Sequence, residues 1–275
     1  MSSRRRRATG QHMLVDRRVA ARQAGYAGLS EEDTVLEIGP GKGILTRVLA
    51  ALAGKVVAIE KDEAFIPQLS NLPKNVEVII ADALIYPLPH FDKVVSNLPY
   101  VISSPVTFML LELDFELGVL MYQKEFAERM CARVGEKEYS RLSVETFRRA
   151  DCRILEEVPP SAFSPRPRVM SAIVELKPRP SPFPIAHPEA FSAVARAIFS
   201  HRRKSVRNAL RSEERALGEA LQSEEGAREA ALRGEEGALG KILERLDGSD
   251  PLMKRRAETL SPEDIVGLAD RLAGG

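Results

Sequence analysis

Thr34-Val35-Leu36-Glu37-Ile38 runs directly into Gly39-Pro40-Gly41-Lys42-Gly43, and residues 44–53 then carry helical spacing. A buried strand, a glycine loop and a helix in that order constrain this chain more than any other feature. In a doubly wound sheet ligands bind at the carboxyl ends of the strands, where this loop falls. Glycine lets a ligand approach the main chain, and the succeeding helix opens with N–H groups that have no partner of their own. The spacing is Gly-x-Gly-x-Gly, not the Gly-x-Gly-x-x-Gly of a pyrophosphate cradle, so a dinucleotide site is the weaker reading and a plain tight turn the bland one.

Short apolar runs recur at 55–59, 76–80, 93–96 and 117–121, with helix-compatible segments between most of them. This alternation predicts an α/β, Rossmann-like fold: a parallel sheet covered by helices. Ser30 with Asp33, and Gly54, supply boundary signals for the first unit of it. A helix is expected to begin near Ser104-Pro105, with serine as cap and proline at the first helical position. Candidate strands at 151–158 and 171–177 flank a loop, 159–168, whose prolines argue against regular structure. Proline recurs from 178 to 188, and the remainder of the chain is nearly all helix-forming. The expected organisation is therefore residues 1–183 as one domain and 184–275 as a small helical one, which suits a length of 275 residues.

Composition excludes several classes. With 44% hydrophobic and 29% charged residues and no apolar run near the ~20 residues a bilayer demands, a membrane role is not expected. No secretory signal is apparent, so a cytoplasmic location is expected. Cys131 and Cys152 lie far apart without ligand-spaced neighbours, which predicts neither a metal site nor a disulfide but two structural thiols. Neither sits beside proline, as a cytosine C5 methyltransferase nucleophile typically does. The net charge of +1 conceals two basic runs, Arg4-Arg5-Arg6-Arg7 and His201-Arg202-Arg203-Lys204-Ser205-Val206-Arg207, and a glutamate-rich stretch over 213–236. Such local charge can attract nucleic acid or simply be solvated surface.

The candidate site grows from the strand ends. Glu60 closes the second strand and can accept both hydroxyl hydrogens of a ribose, a group common to NAD and S-adenosylmethionine. Asp82 lies just past the third and can take a hydrogen bond from an adenine amine, although a lone aspartate there also suits a helix cap. The next strand delivers Asn97-Leu98-Pro99-Tyr100 to the same edge. An aromatic amine is a poor nucleophile but a good double hydrogen-bond donor. The Asn97 side chain and the Leu98 carbonyl offer two acceptors, Pro99 holds Leu98 extended, and Tyr100 offers a face for an unstacked base. Positioning, not a strong base, would supply much of the acceleration. The bland alternative is a turn with Tyr100 in the core.

In order, Gly10-Gln11-His12-Met13-Leu14, Leu36-Glu37-Ile38-Gly39-Pro40-Gly41-Lys42-Gly43, Asn97-Leu98-Pro99-Tyr100, Pro160-Ser161-Ala162-Phe163-Ser164-Pro165 and His201-Arg202-Arg203-Lys204-Ser205 resemble the small-subunit ribosomal RNA adenine N(6)-dimethyltransferases, especially their archaeal and eukaryotic branch. The resemblance spans nearly the whole chain. It implies an S-adenosylmethionine-dependent enzyme that dimethylates two adjacent adenines in the 3′-terminal hairpin loop of small-subunit rRNA, within a pre-ribosomal small subunit, and acts as a monomer. It implies His12, Leu14, Gly39, Gly41, Glu60, Asp82 and Asn97 at the cofactor, and Asn97, Leu98, Pro99, Tyr100 and Phe163 at the target adenine. Arg202, Arg203, Lys204 and Arg207, with the amino-terminal arginines, are expected at RNA phosphates. One departure stands out: the family usually has Gln-Asn-Phe-Leu where this chain has Gln11-His12-Met13-Leu14. A large-subunit rRNA methyltransferase shares the fold and the tetrapeptide. Tyr139-Ser140-Arg141-Leu142-Ser143 and Ser161-Ala162-Phe163 resemble the small-subunit group more. A DNA methyltransferase would bring a further recognition domain. A non-catalytic assembly factor is the alternative from another class.

Overall fold

The computed structural model describes residues 12–221 and 250–273. The run Arg4-Arg5-Arg6-Arg7, Gly10, Gln11 and the glutamate-rich stretch beyond residue 221 lie outside them. The chain divides into two compact units, one formed by residues up to Cys131 together with Arg149–Arg179, the other by Ala132–Arg148 and Pro180–Gly275.

The first unit contains two short strands, β1 (Met13–Leu14) and β8 (Phe163–Ser164), and seven longer ones: β2 (Thr34–Ile38), β3 (Lys55–Glu60), β4 (Val76–Ile80), β5 (Lys93–Asn97), β6 (Leu117–Gln123), β7 (Ala150–Val158) and β9 (Ser171–Pro178). The seven form one sheet in the order β4-β3-β2-β5-β6-β9-β7. Strands β2 to β6 pair in parallel, whereas β9 runs antiparallel to β6 and to β7. The parallel strands carry apolar runs because both their faces are covered. One face packs against α1 (Arg17–Tyr26) and α2 (Ile44–Ala50), burying Val19, Ala20, Leu45 and Leu49 with Val35, Val95, Val119 and Ile173. Gln23 of α1 is fully buried, and its amide donates to the carbonyls of Ser96 and Val119, fixing the helix over the β5–β6 seam. Ser96 also ties β5 to β2, its Oγ accepting the Ile38 N–H at 2.8 Å.

Two local expectations change. The helix expected near Ser104 begins earlier: α3 is a short turn of helix at Ile66–Leu69, and a 3₁₀ turn over Tyr100–Ile102 leads straight into α4 (Ser103–Leu110), placing Pro105 inside the first turn. Proline is tolerated there because the first N–H groups of a helix are unpaired in any case. The loop after β7 is also more regular than its prolines suggest. A 3₁₀ turn at Pro160–Ala162 precedes β8, which pairs antiparallel with β1. Prolines flank this short strand without occupying it, so the two-residue ladder loses no donor.

The cysteines require a correction. Cys131, at the end of α5 (Lys124–Cys131), and Cys152 of β7 form a disulfide, with Cα atoms 5.4 Å apart. The pair is 21 positions apart in sequence, and the chain spends the interval in the other unit before returning to the same place.

The second unit is helical: α7 (Pro188–Ser200), α8 (Val206–Ser212), α9 (Glu214–Leu221) and α10 (Pro262–Ala273) accompany most of α6 (Arg141–Arg149). The expected domain limit at 183/184 assigned 132–148 to the first domain; in the structure this stretch belongs with the helices. Tyr139 and Val144 are buried with Phe191, Val194, Ile198 and Leu268, and the Tyr139 hydroxyl donates to the Leu260 carbonyl at 3.0 Å.

Candidate active site

The carboxyl ends of β2, β3 and β5 converge on one pocket, lined among others by His12, Leu14, Glu37, Gly39, Glu60, Asn97 and Pro99. The glycine loop meets its neighbours here for steric reasons. Gly39 has φ +74°, and a Cβ on it would lie 3.2 Å from Pro99 Cδ. Gly41 has φ +56°, and a Cβ on it would lie 2.7 Å from Met13 Sδ. The loop therefore closes against Asn97-Leu98-Pro99 on one side and the β1 segment on the other only because neither position carries a side chain.

Glu60 is buried at the end of β3, accepting the Gly41 N–H at 2.9 Å and the Asp62 N–H at 2.8 Å. Burial raises its proton affinity above the ordinary carboxylate range, against the pull of those backbone N–H groups. Each oxygen retains a further lone-pair site for a ligand hydroxyl. Asp82 does not line the pocket. It accepts from Lys61 Nζ at 2.6 Å and from the Leu84 N–H at 3.0 Å, and the lysine holds its carboxyl below the usual range. It thus has the turn-capping partner of a bland aspartate, one strand beyond Glu60.

Asn97 ends β5 partly exposed, Leu98 is buried, and Tyr100 is half-buried with its hydroxyl 2.7 Å from Ser171 Oγ on β9. The His12 ring lies 5.6 Å from that of Tyr100, and His12 Nδ1 is 2.8 Å from the Pro165 carbonyl oxygen. A carbonyl only accepts, so Nδ1 carries the hydrogen and, in the neutral ring, Nε2 keeps an acceptor lone pair. Leu14 pairs with Phe163 across the β1–β8 ribbon, and both are buried in the core. Phe163, expected at the target adenine, is instead a core residue with only 4% of its surface exposed, because its side chain packs in the cluster that holds Leu14, and it does not line the pocket.

Glu37 escaped the sequence reading as a functional residue, although it was visible as an acid in the middle of an apolar strand. It is buried, lines the pocket, and its Oε2 has no hydrogen-bond partner among the described residues. Burial pushes its carboxyl up to about 8, with Glu60 nearby adding to the effect.

The basic run lies in the second unit. Arg202 Nε donates to Glu258 at 3.0 Å and Lys204 Nζ to Ser212 Oγ at 2.8 Å, while Arg203 and Arg207 are exposed. At least two of the four cations therefore have intramolecular partners.

Comparison with known proteins identifies the family. A model of the ribosomal RNA adenine dimethylase family matches residues 2–229. A probable ribosomal RNA small subunit methyltransferase A of Methanothermobacter thermautotrophicus is 45% identical over 270 residues, covering 97% of this chain and 90% of that protein. Its counterpart in Methanosarcina acetivorans is 43% identical over 265 residues, covering 95% and 91%. Among solved structures, a dimethyladenosine transferase from Plasmodium falciparum superposes with a TM-score of 0.76 at 32% identity, covering 96% of this chain and 98% of that one. The 23S rRNA methyltransferase ErmE gives 0.63 at 29% identity, covering 94% and 99%. The small-subunit relatives thus exceed the large-subunit one in identity, and the chain belongs to the ribosomal RNA adenine dimethylase family.

Proposed function

We propose that this chain uses S-adenosylmethionine to dimethylate the exocyclic N(6) amines of two adjacent adenines in the 3′-terminal hairpin loop of small-subunit rRNA, acting as a cytoplasmic monomer on a pre-ribosomal small subunit. The observation that supports the reading is that Pro99 lies against Gly39 and that Gly39, Asn97 and Pro99 line one pocket.

The residues fit the cofactor. Glu37 and Glu60 are both buried acids with raised proton affinity, and a cationic ligand favours their charged forms. Glu60 offers acceptors for ribose hydroxyls, Asp82 lies one strand further along for an adenine amine, and Gly39, His12, Leu14 and Asn97 complete the wall, with the Gly41 N–H holding Glu60 from behind it. When bound, S-adenosylmethionine supplies an electrophilic methyl group on a positively charged sulfur.

The chain's own work is positioning. The Asn97 side-chain oxygen and the Leu98 carbonyl accept the two amine hydrogens and orient the nitrogen lone pair. Tyr100, held by Ser171, presents a face for the unstacked base, a contact worth about 1–3 kcal/mol. Phe163, buried in the core and outside the pocket lining, supports the β1–β8 ribbon from behind and is not a face for the base. Loop adenines suit such a site because they can be splayed into a pocket at lower cost than paired ones. Arg202, Arg203, Lys204 and Arg207 serve as phosphate contacts.

Transfer of radiolabelled methyl groups to immature small subunits tests the reading. Incorporation into small but not large subunits is expected. Labelling confined to large subunits would favour the ErmE-like alternative, and cofactor binding without any incorporation would favour an assembly factor.

A further inference from the structure

We propose that Arg17, Lys42 and Arg47 form a phosphate-binding groove that carries the RNA strand flanking the target adenine past the methyl-transfer pocket. The inference rests on the proposed rRNA substrate and extends it to a surface in the first unit that no basic run in the sequence announces.

The groove is lined by these three cations with Ile44, Val48 and Gln68 among others, and its lining contains no aspartate or glutamate among the described residues. Lys42 and Ile44 line the candidate active-site pocket as well, so the two depressions adjoin at these side chains. Elsewhere in the unit cations are commonly matched with acids: Arg22 with Glu156, Lys93 with Asp33, Lys124 with Glu157. Arg17, Lys42 and Arg47 make no ion pair among the described residues, although all three are exposed. Arg47 is instead held by backbone carbonyls, donating to Asn71 at 2.9 Å and to Gln68 at 3.3 Å. Those bonds fix the guanidinium without cancelling its charge. Three like charges gathered in one concavity focus a positive potential and repel one another, and an anionic strand relieves that repulsion. Ile44 and Val48 add apolar surface between the cations, suited to ribose and base faces. A single RNA strand presents regular phosphates with such faces between them, and the target loop must pass the pocket that Lys42 borders.

The test measures the affinity of the full chain for immature small subunits across a salt series, in parallel with methyl incorporation by the wild type. The Arg17→Gln/Lys42→Gln variant is expected to bind several-fold more weakly at low salt, with the slope of log affinity against log salt reduced by about 1.4, at about 0.7 for each phosphate no longer neutralised. Arg17→Gln alone, at an exposed helix position, is expected to give about half that change and serves if the double variant misfolds. Lys74→Gln, exposed and outside the groove, should leave the slope unchanged. Wild-type methylation with an unchanged slope in the groove variants would overturn the proposal and leave the substrate reading standing. Weakened binding at constant slope would assign the face to a protein of the subunit and overturn it too. No methyl incorporation by the wild type would remove the substrate reading and the groove with it.

Discussion

Asn97, Glu37 and His12 divide the candidate chemistry between them. In the proposed site Asn97 holds the amine, so Asn97→Ala should lower methyl transfer by about 10²–10³-fold, the loss typical of one positioned polar group at a reacting centre, while cofactor affinity falls much less. Single-turnover kinetics beside calorimetry measures both, and equal losses would refute the division. The proposed contact of His12 with the cofactor runs through its ring: His12→Phe removes the Nδ1 bond to Pro165 and should weaken cofactor binding about tenfold, the equivalent of one modest hydrogen bond, whereas His12→Asn, which keeps a polar side chain, should retain it. Calorimetry of the two variants distinguishes a ring-mediated contact from a backbone one. Glu37 should contribute to the pH dependence of stability. Its folded value is raised from 4.5 to about 8, so the folded chain keeps a proton that the unfolded chain has released, and stability contributed by this group declines as pH rises from 4.5 through 8. Glu37→Gln should flatten that decline in thermal unfolding of the cofactor-free protein. An identical pH slope in both proteins would contradict the assignment. Asn97 was legible because its tetrapeptide is contiguous, whereas Glu37 becomes conspicuous only when the strand is known to end in a pocket.

At the scale of elements, contiguous signals read well and long-range ones do not. The strand, glycine loop and helix over 34–50 were legible because hydrophobic period and glycine placement are local. The β1–β8 ribbon was not, since two residues on each side, about 150 positions apart, carry no period and the neighbouring prolines point the other way. The same holds for the disulfide, whose partners are separated by an excursion into the other unit. Both the loop and the bridge give predictions. Gly41→Ala forces a left-handed backbone on alanine and a Cβ onto Met13, so it should cost about 1–2 kcal/mol in denaturant unfolding. Replacing Cys131 and Cys152 with serine should lower stability by about 3 kcal/mol, the loop-closure value for a link of this span. A variant as stable as the oxidised wild type would mean that the bridge adds nothing.

At the scale of the molecule, the proposed reading gives the two units different tasks: the chemistry to the sheet unit, and cations for subunit binding to the helical unit. The boundary was legible near 180 from its prolines, but the transfer of 132–148 to the helical core depends on Tyr139 and Val144 finding partners far along the chain. Converting Arg202, Arg203 and Lys204 together to alanine should flatten the salt dependence of subunit binding, by less than three full charges because Glu258 already engages Arg202. An unchanged slope would exclude that surface. The most direct test of the proposed activity is a mass-spectrometric map of rRNA methylation after purified chain, S-adenosylmethionine and unmethylated small subunits react together. N(6),N(6)-dimethyladenosine at two adjacent positions in the 3′-terminal hairpin loop is predicted; methylation elsewhere, or on another atom of the base, would contradict it.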